Sequence, residues 1–283
     1  MNEKTLIIDG FNYLFRAYYG LPSVIELPDG RQGNAVYGFF AFVRRLVENL
    51  EPENLVVVFD SETGTIKKKK EVPEYKSNRG NYDVEMFQQL VIIKELLEVI
   101  EIPVIEDPNC EADDIIGTLA SKVYFPGTQK YVSSADNDFI QLVREDVFII
   151  KEVQGKAKIM NEKDVLGKYN IMPSQYIDYM SLKGDSSDNI KGVPGIGSIT
   201  AQKLLNKYKD IFGIVENVDE LRPKLSENIK EYQEYIIKNR EFLQINVNLD
   251  LYSYLDILQK KYKSKILLSK TNEIIKKACE IMK

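Results

Sequence analysis

Three apolar runs in this chain end on, or just before, an aspartate: LIIDG carries Asp9, LVVVFD carries Asp60, and YVSSAD leads to Asp136. Short uninterrupted apolar runs suit strands buried inside an α/β sheet. Such strands deliver their last residues to the sheet edge, so the pattern gathers carboxylates from distant segments. Nine acidic residues in five groups belong to it: Asp9; Asp60; Glu111, Asp113 and Asp114 in CEADD; Asp136 and Asp138 in SADND; Asp185 and Asp188 in GDSSDN. Helical spacing would put Glu111 and Asp114 on one face, and Asp185 with Asp188 likewise. One aspartate after a strand is commonly a turn residue or a helix N-cap. Five groups together point instead to hard divalent cations such as Mg2+, which take oxygen ligands and relieve the mutual repulsion. Two such ions about 4 Å apart form a clamp for phosphodiester hydrolysis.

The rest of the first half fits that placement. Segments 5–8, 55–59, 102–105, 130–133 and 147–150 read as strands, and 35–50, 84–100 and 112–122 carry apolar residues at helical spacing. The alternation predicts an α/β fold: a largely parallel central sheet with helices on both faces. Ligands in open sheets of this class bind beyond the carboxyl ends of the strands. From position 173 the strand signals thin out and helical patterns dominate, at 173–182, 198–208, 219–225 and 229–240. The expected division is an α/β domain over 1–172 and a helical module over 173–283. Segment 263–283 reads as an amphipathic helix packing on the sheet domain.

What the chain lacks narrows the chemistry. Its 283 residues contain no histidine, which excludes Ser-His-Asp and Cys-His catalysis and histidine-ligated zinc. Cys110 and Cys279 form no metal or redox motif, and with no signal-peptide pattern a reducing cytoplasm is expected. No apolar run reaches the length of a membrane span, so no membrane partner is expected. The net charge of −5 disfavours a nucleic-acid partner only superficially. Setting aside the nine carboxylates leaves a mildly basic body around an acidic centre.

Two further segments carry binding chemistry. Residues 61–82, SETGTIKKKKEVPEYKSNRGNY, form a long polar stretch between a strand and a helix, with a local surplus of positive charge. Loops of that length are usually functional or disordered. A lysine run such as Lys67 to Lys70 is ordinarily a solvated surface. Tyr75, Lys76 and Arg79 add an aromatic platform to cations, the combination that holds single-stranded nucleic acid. The second segment is Gly192-Val193-Pro194-Gly195-Ile196-Gly197, with Lys191 and Lys203 beside it. Its glycines permit a tight hairpin with outward-facing N–H groups, and the following helix N-terminus adds a site for phosphate oxygens. Such a clamp positions the backbone without reading bases.

Taken in combination, IIDGFNYLFRAYY, VVVFDS, PEYKSNR, EADDIIGTLA, ADNDFIQLV and SLKGDSSDNIKGVPGIGSITAQKLL resemble the bacterial 5′-3′ exonuclease and flap endonuclease family over roughly residues 4 to 250. That family occurs alone or as the N-terminal domain of DNA polymerase I. The resemblance implies a PIN-like nuclease domain and a helical module containing a helix-hairpin-helix. It makes Asp9, Asp60, Glu111, Asp113, Asp136 and Asp138 ligands of two Mg2+ ions (Mn2+ substituting), with Asp114 beside them and Asp185 and Asp188 as an outlying pair. It places Tyr75, Lys76 and Arg79 in a helical arch through which a 5′ strand passes, and makes Lys76, Asp113, Tyr75 and Arg79 the catalytic residues. Lys67, Lys191, Gly192, Val193, Gly195, Gly197 and Lys203 join them as DNA contacts, and K+ is implied at the hairpin. Ala135 and Asn137 depart from the family's usual glycine and lysine, and Lys67 from a frequent arginine.

The expected function is a structure-directed 5′ nuclease, removing RNA primers and 5′ flaps from branched, 5′-ended or RNA-primed DNA. It is expected to act as a bacterial, nucleoid-associated monomer in the cytoplasm, with any polymerase on a separate chain. Two alternatives remain open: a catalytically silent DNA-binding module, and a metal-dependent ribonuclease of related fold.

Overall fold

A computed structural model describes residues 3–61, 83–121, 123–153, 156–185 and 190–259, together with 273 and 275. Among these, strands β1 (Lys4–Asp9), β2 (Asn54–Val58), β3 (Val104–Ile105), β4 (Gln129–Ser133), β5 (Val147–Val153) and β6 (Lys156–Met160) form one sheet in the order β3-β2-β1-β4-β5-β6. All its pairings are parallel except β5 with β6. β5 and β6 are separated by only two residues, too few for a parallel crossover. Lys156 and Lys158 are spaced two apart on this exposed edge, where charge deters pairing with another chain. The expected fold class holds; the β6 edge strand is an addition to it.

Alternation along the strands divides the core in two. Leu6, Ile8, Leu55, Val57 and Ile150 face helices α1 (Gly10–Gly20), α2 (Asn34–Leu50) and α3 (Val84–Val99). Ile7, Val56, Val58, Val132 and Ile149 face the other way, onto α4 (Ala112–Leu119). The second cluster runs on without a break into the helical half through Leu182, Leu205, Ile229 and Ile236. Two helices of the first half were not expected: α1, and α5 (Glu162–Tyr169), which opens with a full capping box on Asn161. Ile275 is buried in the α1–α3 cluster. Glu273 and Ile275 are both helical, and the rest of the helix expected over 263–283 lies outside the described residues.

The later segments are α6 (Tyr176–Lys183), the two-stranded ribbon β7 (Gly184–Asp185) with β8 (Ile190–Lys191), α7 (Ser198–Tyr208), α8 (Ile211–Glu216), α9 (Pro223–Leu243) and α10 (Leu255–Leu258). Separate helices expected at 219–225 and 229–240 are corrected: Val218–Glu220 is a short 3-10 turn, and one 21-residue helix runs from Pro223. Pro223 suits that start, since the first helical position needs no intrahelical N–H partner. Asp178 on α6 accepts hydrogen bonds from Arg240 Nε at 2.7 Å and Ile211 N at 3.2 Å, tying α6, α8 and α9 together. No described helix is long and apolar enough to cross a membrane.

Candidate metal and nucleic-acid site

The sheet order reverses between β1 and β4, because successive strands run outward from β1 on one side before β4 adds on the other. A crevice opens at the carboxyl ends of the strands at such a switch point. Asp9 is the last residue of β1, and Asp136 lies three residues beyond the end of β4, so the two carboxylates flank that crevice. Asp60 lies two residues past β2, the other neighbour of β1.

Each carboxylate is fixed by its immediate surroundings. Asp9 caps α1 by accepting from Asn12 N at 3.0 Å, while its other oxygen accepts from Ser134 Oγ at 2.6 Å. Burial pushes its pKa up to about 6 against the pull of those two hydrogen bonds, and the neighbouring charges of Asp60 and Asp136 push it further in the same direction. Asp60 accepts from Ala112 N at 2.8 Å and so anchors the first turn of α4 to β2. Glu111, buried at 3% exposure, is the extended residue before that helix and does not cap it with its side chain. The expectation that Glu111 and Asp114 share a helical face is therefore corrected: only Asp113 and Asp114 lie in the first turn. Asp114 accepts from Asn246 N at 2.8 Å, which holds the segment after α9 against α4.

The loop after β4 is bonded at nearly every backbone group. Ala135 N donates to Asn12 Oδ1 at 3.2 Å, Asp136 N to Ser134 Oγ at 3.0 Å, and Asp138 N to Asp136 Oδ1 at 2.9 Å. Lys151 on β5 donates to Ala135 O, Asp136 O and Asn137 Oδ1, each at 2.8 Å. Burial pulls the Lys151 pKa down to about 8, although Asp136 and Asp138 pull it upward. Ser134, Asn12 and Lys151 were not foreseen. Asn12 had a weak signal, three residues after Asp9; Lys151 had none.

The donor set suits a hard divalent ion: only oxygens, brought by several elements to one edge, with the charges of Asp60 and Asp136 close enough to add to the raised pKa of Asp9. Among the described residues no three Asp, Glu or Cys side chains converge into a complete cage for one ion. Asp9, Asp60 and Asp136 instead turn an oxygen onto backbone N–H groups. Carboxylates spread in this way suit a hard divalent ion that keeps several waters and takes few carboxylates directly. Asp185 sits on β7 rather than a helix, so the helical spacing expected for Asp185 and Asp188 does not apply. Asp188 of the outlying pair lies outside the described residues, as do Lys67, Tyr75, Lys76 and Arg79 of the expected arch.

The glycine segment leads from β8 to the N-terminus of α7, with Lys191, Gly195, Gly197 and Lys203 exposed. Two of its amides do not face outward as expected: Val193 N donates to Leu182 O and Ile196 N to Val193 O. Val193 is a core residue and presents no side chain to a ligand. From behind, α9 braces the turn through Asn228 Nδ2 to Pro194 O (2.7 Å) and Asn239 Nδ2 to Lys191 O (3.0 Å). Gly195 adopts φ 79, which glycine tolerates best. Gly192 is required by space, since a Cβ there would lie 2.1 Å from the Lys183 carbonyl oxygen. Gly192→Ala is expected to cost about 1–3 kcal/mol through forced backbone displacement. Urea denaturation measures that loss.

Comparison with known proteins follows the same lines. The profile of the 5′-3′ exonuclease N-terminal resolvase-like domain matches residues 4–170, and that of the 5′-3′ exonuclease C-terminal SAM fold matches 171–265. A 5′-3′ exonuclease of Aquifex aeolicus is 32% identical, covering 98% of this chain and 92% of that protein. DNA polymerase I of Mycobacterium tuberculosis is 35% identical over 85% of this chain but only 27% of its own length. The chain thus spans about a quarter of the polymerase relatives it matches. Among solved structures, bacteriophage T5 flap endonuclease in a pseudo-enzyme-product complex with DNA and metal ions superposes with TM-score 0.71. It is 19% identical, with 98% of this chain and 100% of that chain covered, a likeness of fold.

Proposed function

The chain belongs to the 5′-3′ exonuclease family, and from that premise we propose that it is a metal-dependent, structure-directed 5′ nuclease. Its substrates are 5′ ends and flap junctions of DNA, including RNA-primed strands met in replication and repair beside a DNA polymerase. The observation that carries the reading is the placement of Asp9, Asp60 and Asp136 at the carboxyl ends of neighbouring strands around the β1–β4 switch point, where burial first and then the charges of Asp60 and Asp136 raise the Asp9 pKa.

Asp9, Asp60, Glu111, Asp113, Asp136 and Asp138 would hold two Mg2+ ions (or Mn2+), with Asp185 and Asp188 outlying. Ions held there would supply a metal-activated water and charge neutralisation at the reacting phosphodiester. The chain's own residues set the stage. Ser134 and Asn12 lock Asp9 to the Asp136 loop. Asp60 fixes the start of α4 and with it Glu111 and Asp113. Asp114 keeps one oxygen on the Asn246 amide and holds that segment against α4. Lys76, with Tyr75, Arg79 and Lys67, is assigned to the scissile phosphate and the incoming 5′ strand. Lys191, Gly192, Gly195, Gly197 and Lys203 form the helix-hairpin-helix grip on the duplex. K+ at this hairpin would be held by its backbone carbonyls, of which those of Lys191 and Pro194 each accept one hydrogen bond from α9 and keep a second lone pair. The 1–172 and 173–283 parts then divide the work into chemistry and grip, in a bacterial cytoplasm at the nucleoid.

The test is cleavage of a 5′-labelled flap duplex with Mg2+, with EDTA, and by Asp113→Asn. Cleavage near the junction is expected with Mg2+ and absent with EDTA. The variant should lose more than about 100-fold, the upper end of what outer residues of metal sites cost. Flap binding without cleavage under either Mg2+ or Mn2+ would leave a binding module and sink the nuclease reading.

A further inference from the structure

We propose that Lys151 is a positioning residue for metal binding: it fixes residues 135–137 so that Asp136 and Asp138 are presented together to the ions. The inference rests on the nuclease reading above. An ammonium has three N–H donors. All three are accounted for here, on Ala135 O, Asp136 O and Asn137 Oδ1. Two successive carbonyls and the next side chain are thereby pinned by one atom.

The rest of the loop is bonded from the other side. The amides of Ala135, Asp136 and Asp138 are taken by Asn12, Ser134 and Asp136. Removing Lys151 would leave two carbonyls to find water and would release the Asn137 side chain. The Asp136 and Asp138 carboxylates would then sample more positions, and ion binding would bear the cost of ordering them.

Strand geometry explains why this residue reaches the loop. Ile149 packs on the α4 face and Ile150 on the α1–α3 face, so alternation returns Lys151 to the α4 face at the carboxyl end of β5. β4 is the neighbour of β5, and its loop crosses that end. Glu152, on the opposite face, pairs instead with Arg16 (3.0 Å) and Arg45 (2.8 Å). A phosphate-contacting lysine would point its ammonium outward, whereas this one spends it on the protein.

The experiment compares the parent with Lys151→Met and Lys151→Gln. Three readouts are taken: Mn2+ binding to the DNA-free protein by electron paramagnetic resonance, KM and kcat on the flap duplex at limiting and at saturating Mn2+, and the melting temperature. Mn2+ affinity is expected to fall about tenfold in Lys151→Met, the range for residues that orient metal ligands. KM should be unchanged, with kcat largely recovered when Mn2+ is raised. Lys151→Gln, which keeps a donor, should fall between. If Lys151→Met does not fold, the glutamine variant carries the comparison. Parental Mn2+ affinity in a folded variant overturns the proposal. A raised KM with unchanged Mn2+ affinity overturns it too, since Lys151 would then be a DNA contact. A parent protein that binds no Mn2+ and cleaves nothing would defeat the nuclease reading instead.

Discussion

Asp9→Asn will abolish flap cleavage and at the same time raise the melting temperature of the protein in EDTA at pH 8. The sign follows from the Asp9 carboxyl, whose pKa stands at about 6 in the fold against 3.8 ordinarily. A folded-state pKa above the unfolded value means the native state prefers the proton. The associated stability is fully present below pH 3.8 and is lost as pH rises through about 6. At pH 8 the fold therefore carries an unfavourable carboxylate. Asparagine keeps the shape and the oxygen that accepts from Asn12 N, without the charge. Because solvent reaches part of this carboxylate, the gain is set at about 1–2 kcal/mol, below the full linkage value. That corresponds to a rise of a few degrees for a chain of this size, roughly 2–4 °C per kcal/mol. Adding Mg2+ should reverse the ranking, stabilising the parent and not the variant. A variant melting below the parent in EDTA at pH 8 would show that Asp9 is not strained.

Arg240→Met is expected to give the largest loss of stability among the single substitutions considered. Asp178 is buried and receives Arg240 Nε at 2.7 Å, and the guanidinium also lies 5.5 Å over the Phe212 ring. Burial raises the Asp178 pKa even though Arg240 pulls it down. Removing the arginine strands a charge between α6, α8 and α9, at a cost of about 3–5 kcal/mol. With the carboxyl pKa raised further, the deficit grows as pH rises and shrinks on acidification. Urea denaturation at pH 5 and pH 8 should therefore show a larger gap from the parent at pH 8. Asp178→Leu combined with Arg240→Met should recover most of the loss, since a well-packed apolar pair can replace a buried ion pair. A double variant no better than Arg240→Met would mean that the two side chains act independently.

Much of this molecule could be read from local patterns, and the failures have identifiable causes. β1, β2, β4 and β5 were legible because buried parallel strands are short, continuous apolar runs. Helix α1 was not, because Asp9 serves as both the last residue of β1 and the cap of α1, leaving no turn signal between them. Phe11, Tyr13, Leu14, Phe15, Tyr18 and Tyr19 also surround that helix with apolar groups and blur its periodicity. The polar stretch around Ser226 to Asn228 looked like a break, yet Ser226 and Asn228 are buried within α9, and Asn228 supports the glycine turn. The carboxylates were visible individually. Their supports were not, because Ser134, Lys151 and Asn246 act across the chain and leave no trace in their own neighbourhoods.

The centre is closed by partners far apart in translation order. Ser134 reaches Asp9 across 125 positions, and the Asn246 amide reaches Asp114 across 132. A nascent chain that has delivered its first two strands holds Asp9 and Asp60 but neither Ser134 nor Asp136. One that has delivered the whole sheet still lacks the amide that braces Asp114. The hydrogen-bonded frame around these carboxylates is therefore complete only once the chain reaches Asn246, and no fragment ending before that residue can form it.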